Sequence, residues 1–409
     1  MTEIIECVPN FSEGRDSEKI KQILDTITAV DGVTLLDHQS DPDHNRTVVT
    51  IVGNRDAVFN GAFEGIKKAK DLIDLTKHKG EHPRMGATDV CPFIPISDIT
   101  MEDCVELAKK LAEKVWKELE IPSYLYEAAA SRPERENLAI IRKGQFEGIR
   151  DEIATNPDRK PDFGNNAVHP TFGIMAIGAR PILIAFNVNL DREEVGPAAT
   201  IGRAVRHSTG GFRYVKAMGF TIDEKKITQV SMNMVNYEGT PLYRSYNFIK
   251  GEADRYGIPV IGSEIVGLTP LKAFTDVAQH FLRIQNDIPT DKITWEEKYD
   301  MDISFKFSKP SHLVDVAKAI SEETGGLRGV KATVDGEVIK IHIDDAKITA
   351  LHRVFNLTLV EIERYGATIE ETLVDTIPME IIVQAADFFL RIEDFKLDQI
   401  LEYKLRQKK

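Results

Sequence analysis

The chain has 409 residues, 42% of them hydrophobic and 29% charged, and carries a net charge of −13. That is an ordinary globular composition with room for two or three domains, and its acidic balance excludes a nucleic-acid binder, which needs a basic face. No apolar run reaches the roughly 18 residues of a membrane span, and the acids in the first residues do not suit a signal peptide. Three cysteines (Cys7, Cys91, Cys104) are too few for a disulfide framework, and no C-x-x-C pair suggests zinc, so a cytoplasmic location without a metal is expected.

Residues 3–8 read as a first strand ended by Pro9. Ile20, Ile23, Leu24 and Ile27 recur at helical spacing, with Gly32 at the expected stop. Residues 33–36 and 47–52 read as β-branched strands flanking a polar loop that holds Asp37, His38, Asp41, Asp43, His44, Asn45 and Arg46. A second amphipathic helix presents Val58, Ala62, Ile66, Ala69 and Ile73, a strand covers 90–96, and a third helix spans about 101–119. This alternation predicts an α/β or α+β layered fold. Residues 132–166 turn polar and rich in proline and glycine, a long connection of a kind that is often functional.

The stretch 77–95, KHKGEHPRMGATDVCPFIP, packs His78, Lys79, Glu81, His82 and Arg84 into seven positions ahead of an apolar strand. Gly80, Pro83 and Gly86 forbid a regular helix, which also spoils any zincin-like pairing of the two histidines. A histidine beside cations in such a loop suits a base near neutral pH with an anionic substrate. The polar loop at 37–46 reads either as a solvated loop or as one whose Asn45 and Arg46, abutting a strand, point into a cleft. Residues 161–173, PDFGNNAVHPTFG, offer Phe163, Val168 and Phe172 with backbone donors and two asparagines, which suits a flat heteroaromatic ligand or a plain linker. A P-loop, a G-x-G-x-x-G turn and a G-x-S-x-G elbow are all absent, and Cys91 reads as a packing residue.

Beyond residue 180 the sequence repeats. Residues 203–219 match 318–334, pairing Gly210 with Gly325, Gly211 with Gly326 and Arg213 with Arg328. Further on, Arg244, Asn247 and Tyr256 pair with Arg353, Asn356 and Tyr365, and HFLRI at 280–284 pairs with FFLRI at 388–392. Each copy reads strand, helix, strand, strand, helix, strand, the split βαβ or ferredoxin-like order. The expected organisation is 1–180, 181–297, and 298–409 as a diverged repeat of the second part.

Several long motifs then carry a resemblance: ECVPNFSEGRD at 6–16, HNRTVVTIVG at 44–53, HKGEHPRMGATDVCPFIP at 78–95, PDFG at 161–164, GARPILIAFNVNL at 178–190 and VGLTPLKA at 266–273. Over about residues 2–290 the chain resembles the glutamate formimidoyltransferases, the transferase half of the bifunctional formimidoyltransferase–cyclodeaminases. The resemblance implies transfer of a formimidoyl group from N-formimidoyl-L-glutamate to N5 of tetrahydrofolate, a co-substrate, in histidine breakdown. It implies His82 as the catalytic residue and a folate-binding loop of Phe163, Gly164, Asn165, Asn166, Ala167, Val168, His169, Pro170, Thr171 and Phe172. Together with the repeat, the expected fold is two ferredoxin-like α/β subdomains with folate between them, plus the third, degenerate copy, which departs from the family.

The chemistry asks for cationic clamps on two anionic substrates, so Asn45, Arg46, Lys79 and Arg84 are expected to bind substrate, and His78 stays unassigned. The helical cyclodeaminase half has no counterpart here, so release of ammonia is expected to fall to another protein. The repeat is expected to lack a site of its own and to cover a sheet face or form a subunit interface, which leaves a homodimer open. A formyl-transferring relative, an enzyme acting on 5-formyltetrahydrofolate and a non-catalytic folate-binding protein all stay open.

Overall fold

A computed structural model of the chain describes residues 3–80, 82–284, 286–295, 300–308, 312–323, 330–344, 348–364, 368–393 and 395–407. Glu81 of the candidate loop, and Gly325, Gly326, Arg328 and Tyr365 of the repeat, lie outside the described residues. The contacts divide the chain into two units, one up to Ile182 and one from Leu183 to Gln407.

The first unit runs β1 (Ile4–Cys7), β2 (Asn10–Phe11), α1 (Ser17–Thr28), β3 (Thr34–Asp41), β4 (Arg46–Gly53), α2 (Arg55–Leu72), β5 (Thr88–Ser97), α3 (Met101–Leu119), β6 (Ser123–Glu127), α4 (Leu138–Ile141), α5 (Gln145–Glu152) and β7 (Met175–Ala179). One seven-stranded sheet results. β1 and β2 share one lane, interrupted at Pro9, and pair antiparallel with β4 on one side and β5 on the other, while β7 joins β5 to β6 in parallel. Strand alternation explains the core: Ile5, Cys7, Val49, Ile51, Cys91 and Phe93 face α1, α2 and α3, whose Ile23, Ile27, Ala62, Ile66, Leu111 and Val115 complete it. The helix starts are set by side chains that take up free N–H groups. Asp16 caps α1, Asn54 caps α2, and Thr100 with Asp103 forms a capping box on α3. On the other face α4 and α5 lay Ile141 and Ile149 over Tyr124, Tyr126, Val90 and Ala176.

Two expectations need correction. The polar stretch from Asp37 to Asp41 is strand, not loop: β3 pairs with β4 from Thr34↔Val52 to Asp41↔Arg46, leaving only a four-residue turn at 42–45. β3 pairs with β4 alone, so its polar side chains stay solvated while its backbone is paired, and periodicity alone misses such an edge strand. The connection at 132–166 is likewise folded, holding α4 and α5.

The second unit begins with β8 (Ile184–Leu190), α6 (Val195–Val205), β9 (Val215–Ile222), β10 (Ile227–Met234), α7 (Leu242–Arg255), β11 (Val260–Val266) and α8 (Leu271–Leu282). It continues with β12 (Ile293–Thr294), β13 (Met301–Phe307), α9 (Leu313–Glu323), β14 (Val330–Asp335), β15 (Val338–Ile343), α10 (Ile348–Arg364), β16 (Ile369–Pro378), α11 (Met379–Leu390) and α12 (Leu401–Gln407). The first set makes a sheet in the order β11-β8-β10-β9 and the second a sheet in the order β16-β13-β15-β14, with β12 beside β16. Both follow the same strand, helix, strand, strand, helix, strand, helix succession, and one buried core runs through the two.

The chain after α11 bridges the open edge strand β11 at Ser263 and the segment just past it at Thr269. Ser263 N donates to Arg391 O at 2.7 Å and Glu393 N to Ser263 O at 2.8 Å, while Thr269 N donates to Gln399 O at 2.8 Å and Leu401 N to Thr269 O at 3.0 Å. Helix α8 is covered too: Phe281 stacks on Phe389 at 4.2 Å and Phe274 meets Phe395 at 4.7 Å. An unpaired edge invites aggregation, and each large apolar side chain exposed on α8 would cost about 1.5–3 kcal/mol. Deleting 299–409 is therefore expected to lower the thermal midpoint sharply and to give self-associating protein. Scanning calorimetry and light scattering check this, and an unchanged midpoint with an unchanged mass would refute it.

Candidate active site

Four segments of the first unit meet at the start of β4: the turn at 12–14, the β3–β4 turn, the 73–87 loop and the stretch from Arg142 to Glu147. Asn45 joins three of them. It sits in the left-handed region at φ 49, which asparagine tolerates, and is buried. Its Oδ1 accepts from Gly14 N at 2.8 Å, and its Nδ2 donates to Lys79 O at 3.0 Å. Gly80 crosses directly over this turn, where an added Cβ would collide with His44 O and lie 2.8 Å from Asn45 Cβ.

The two histidines of the loop are held neutral in opposite tautomers. Arg46 Nη1 lies 2.7 Å from His82 Nε2; a guanidinium only donates, so Nε2 accepts and the proton rides on Nδ1. His78 Nδ1 accepts from Arg84 Nε at 3.2 Å, and its Nε2 faces Asn45 O at 2.9 Å as a donor. Burial is the first cause of the lowered pKa of His78. The His82 pKa falls to about 2, first through burial and then through Arg46, with Arg142, His44 and His78 adding to it. The His44 ring lies 6.3 Å away.

Arg84 is buried, although its carboxylate partner is not. Its guanidinium grips Glu147 with two bonds of 2.7 and 2.6 Å and reaches Gln145 Oε1 at 3.2 Å. That grip lowers the Glu147 pKa to about 2 and ties the loop to α5. Behind it, Asp89 accepts from Met85 N at 2.7 Å and from Arg142 Nη2 at 2.5 Å. The Lys79 side chain is exposed and makes no ion pair among the described residues. Arg46 and Arg142 thus place positive charge beside a neutral imidazole in a chain of net charge −13, an arrangement that draws in anions.

The second candidate loop is sewn to the first. Leu75 N donates to Thr171 O at 2.8 Å, Ala87 N to Phe172 O at 2.8 Å and Ile174 N to Met85 O at 3.0 Å. Its own ends are pinned by Ser123, which exchanges two backbone bonds with Phe163, and by the reciprocal pair between His169 and Gly173. Of the three residues expected to offer apolar surface, Phe172 is instead fully buried in the core, because its backbone pairing with Ala87 turns the ring inward. Phe163 packs against that core from its rim, and Val168 against the smaller cluster under α4 and α5. Asn165, Asn166, Ala167, Pro170 and Thr171 are exposed.

Sequence reasoning missed Glu147, Arg142, Asp89 and the Arg135–Asp162 ion pair. Asp162 also accepts from Leu125 N at 2.8 Å, and the Arg135 guanidinium lies over the Tyr124 ring at 4.9 Å, which fixes the chain just before Phe163. The polar run from 132 was the one signal available, and it named no partner. Among the described residues no cluster of three or more histidine, cysteine or acidic side chains could hold a metal, and no helix is long and apolar enough to cross a membrane.

A neutral imidazole with an accepting nitrogen, close to Arg46 and Arg142 in a loop bonded to residues 171–174, makes this the candidate active site of the first unit. Comparison with known proteins makes this specific. The family model for the formiminotransferase domain, N-terminal subdomain, matches residues 4–180, and that for the formiminotransferase domain matches residues 185–303. The chain is 51% identical to the glutamate formimidoyltransferase of Streptococcus pyogenes serotype M1 over 286 residues, 70% of this chain and 95% of that protein. It is 46% identical to the glutamate formimidoyltransferase of Thermoplasma acidophilum, covering 69% of this chain and 93% of that protein. The formimidoyltransferase-cyclodeaminase of Rattus norvegicus is 42% identical over 69% of this chain and 53% of its own length. The chain belongs to the formiminotransferase family.

Removing the guanidinium is expected to raise the His82 pKa while leaving it below 6.5, since burial is the larger cause. An NMR titration of the imidazole Cε1–H in Arg46→Ala against the parent chain measures it; an unmoved pKa would contradict the contact. The depressed pKa also carries a sign for stability. The unfolded imidazole binds protons the folded one refuses, so its contribution is complete above about pH 6.5 and is lost as the pH falls toward the folded value. Denaturant midpoints at pH 7 and pH 5 should draw closer together in His82→Asn.

Proposed function

We infer that this chain is a glutamate formimidoyltransferase, moving the formimidoyl group of N-formimidoyl-L-glutamate to N5 of tetrahydrofolate and releasing glutamate. The observation that carries the chemical part is His82, a neutral imidazole whose Nε2 is already an acceptor and is met by Arg46 at 2.7 Å. Attack of N5 on the amidine carbon forms the new C–N bond and shifts the C=N electron pair to the terminal nitrogen. N5 becomes an ammonium, far more acidic than the amine it came from, so even a weakly basic imidazole can take its proton. Delivery of that proton to the glutamate nitrogen lets the old C–N bond break with glutamate as leaving group.

Arg46, Lys79, Arg84 and Asn45 are proposed to bind substrate. Arg46 has the clearest part: a substrate carboxylate that draws its guanidinium away uncovers Nε2 and removes the largest charge holding the His82 pKa down. Lys79 offers an exposed ammonium that makes no ion pair among the described residues. Arg84 reaches a carboxylate only by exchanging Glu147, so it serves the loop's shape as well, and Asn45 acts through its two bonds. Residues 163–172 are proposed as the folate loop, with Asn165, Asn166 and the exposed backbone meeting the ligand. Holding two reactants side by side supplies much of the rate, and no metal is invoked.

For the chain as a whole we propose parts 1–180, 181–297 and 298–409, each built on the split βαβ order, the last a degenerate repeat of the second without a site. A cytoplasmic location and a homodimer complete the reading. The donor decides between this function and formyl transfer: the purified protein is expected to consume tetrahydrofolate with formimidoylglutamate, followed by folate absorbance. His82→Ala should lose about 10²–10⁴-fold in kcat, the usual worth of a general base, while tetrahydrofolate affinity holds. A near-normal kcat would remove His82 from the chemistry, and faster turnover of formylglutamate would replace the substrate.

A further inference from the structure

The β3–β4 turn carries a second histidine beside His82. His44 Nδ1 lies 2.7 Å from Asp41 Oδ2, and the other oxygen of that carboxylate accepts from Asp43 N and His44 N at 2.9 Å each. Burial alone would raise the Asp41 pKa, but the bonds from His44 and Asp43 bring it below the usual value. An ionised carboxylate only accepts, so Nδ1 of His44 carries a proton in either state of the ring. Nε2 is then the nitrogen that gains or gives one.

The turn itself is held. Asp41 pairs with Arg46 across the strands, and Arg15 Nε donates to Pro42 O at 2.7 Å. Asn45 is bonded to Gly14 and Lys79, and Gly80 packs against His44 O. The centre of the His44 ring is thereby kept 6.3 Å from that of His82, at an interplanar angle of 58°, while its side chain stays 47% exposed. An exposed pair such as Asp41 with His44 adds little to stability; what it fixes is the direction of the ring.

Four groups bear on the charge of His82: Arg46, Arg142, His44 and His78. An arginine does not release its proton in a protein. His78 has both ring nitrogens engaged, with Arg84 and with Asn45 O. His44 Nε2 makes no hydrogen bond among the described residues, and its exposure lets it exchange protons with water.

We propose that His44 is a second catalytic residue, the general acid that protonates the leaving glutamate nitrogen while His82 takes the proton of N5. This rests on the formimidoyl-transfer reading above and adds a residue to it. Both nitrogens are bonded to one tetrahedral carbon, and each proton carrier has to come within about 3 Å of its own nitrogen. Two rings 6.3 Å apart can flank that carbon. Once a substrate carboxylate has drawn Arg46 away, His82 Nε2 accepts the N5 proton. His44 Nε2–H gives its proton to the glutamate nitrogen, the old C–N bond breaks, and its electron pair leaves with that nitrogen. One proton returned from His82 to His44 restores both rings, so the cycle neither consumes nor releases a proton.

The test is steady-state turnover of tetrahydrofolate and formimidoylglutamate by the full chain, by His44→Ala and by His44→Gln, with and without free imidazole in the medium. Both variants are expected to lose about 100-fold in kcat, the low end of what a general acid contributes. Their tetrahydrofolate affinity should be unchanged, which also reports that they are folded. Imidazole should restore part of the turnover of His44→Ala, where truncation leaves room for it at an exposed position, and none of that of His44→Gln, whose side chain fills the room. A kcat close to the parent's, a loss that imidazole leaves untouched in His44→Ala, or a loss shared with tetrahydrofolate affinity would overturn the assignment. If the parent chain does not turn over formimidoylglutamate, the reading of the function falls and this assignment with it. An active parent with an indifferent His44→Ala leaves that reading standing and removes His44 alone.

Discussion

The contact on which the site depends is that of Arg46 with His82. A guanidinium has no lone pair to give and an imidazolium has none to receive it, so the 2.7 Å approach exists only while His82 is neutral. Everything around it keeps that condition. Burial and the nearby Arg142 penalise a second positive charge, and the Asn45 turn fixes the strand end from which Arg46 projects. His78, in the same loop, is held by Asn45 O and Arg84. The site is therefore set to hold a lone pair ready, and it would lose its geometry as soon as that lone pair were protonated in the free protein.

How a loop with Gly80, Pro83 and Gly86 holds its shape follows from the same bonds. It has almost no secondary structure, so its order comes from outside: the amide of Asn45 across Lys79 O, the Glu147 fork on Arg84, and Asp89 under Met85 N. Asn45 and Glu147 lie far in sequence from the residues they hold, while Asp89 is four residues from Met85. What lies within a short segment was legible there: the glycine and proline breaks predicted a loop carrying histidines and cations, while the role given to His82 comes from the long motifs alone. Glu147 and Arg142 were not legible, because a glutamate or arginine on a short amphipathic helix looks the same whether it meets water or a buried guanidinium. Asp37 to Asp41 failed for a related reason. An edge strand needs only a paired backbone, which leaves no apolar alternation to read.

The two sheets of the second unit share a strand order and differ in what they place on it. Both carry apolar residues toward the helices: Phe186 and Val188 in sheet β11-β8-β10-β9 stand where Ile303 and Phe305 stand in sheet β16-β13-β15-β14. Burial of these residues makes the fold. On the opposite face the first sheet carries amides, while the second carries the pair of Asp302 with His342 at 2.7 Å and the bond from Ser304 to Asp375 at 2.9 Å. An exposed pair such as Asp302 with His342 contributes little to stability, so the shared architecture does not dictate that face.

The part of the second unit after β12 is tied to the sheet before it by backbone and apolar contacts. Ile392 and Ile400 form isolated bridges with Ser263 on β11 and with Thr269 just past it, and Phe389 and Phe395 close over α8. Arg391 sits just past α11 in the left-handed region at φ 52 and sends its Nη1 to Val260 O at 2.6 Å. Arg283 ends α8 in the same left-handed conformation at φ 56. Both helices thus end in the same sharp turn, and the one at Arg391 carries the chain onto the β11 edge. That edge asks for backbone pairing and apolar burial, two demands that leave the polar face of the sheet β16-β13-β15-β14 free to differ.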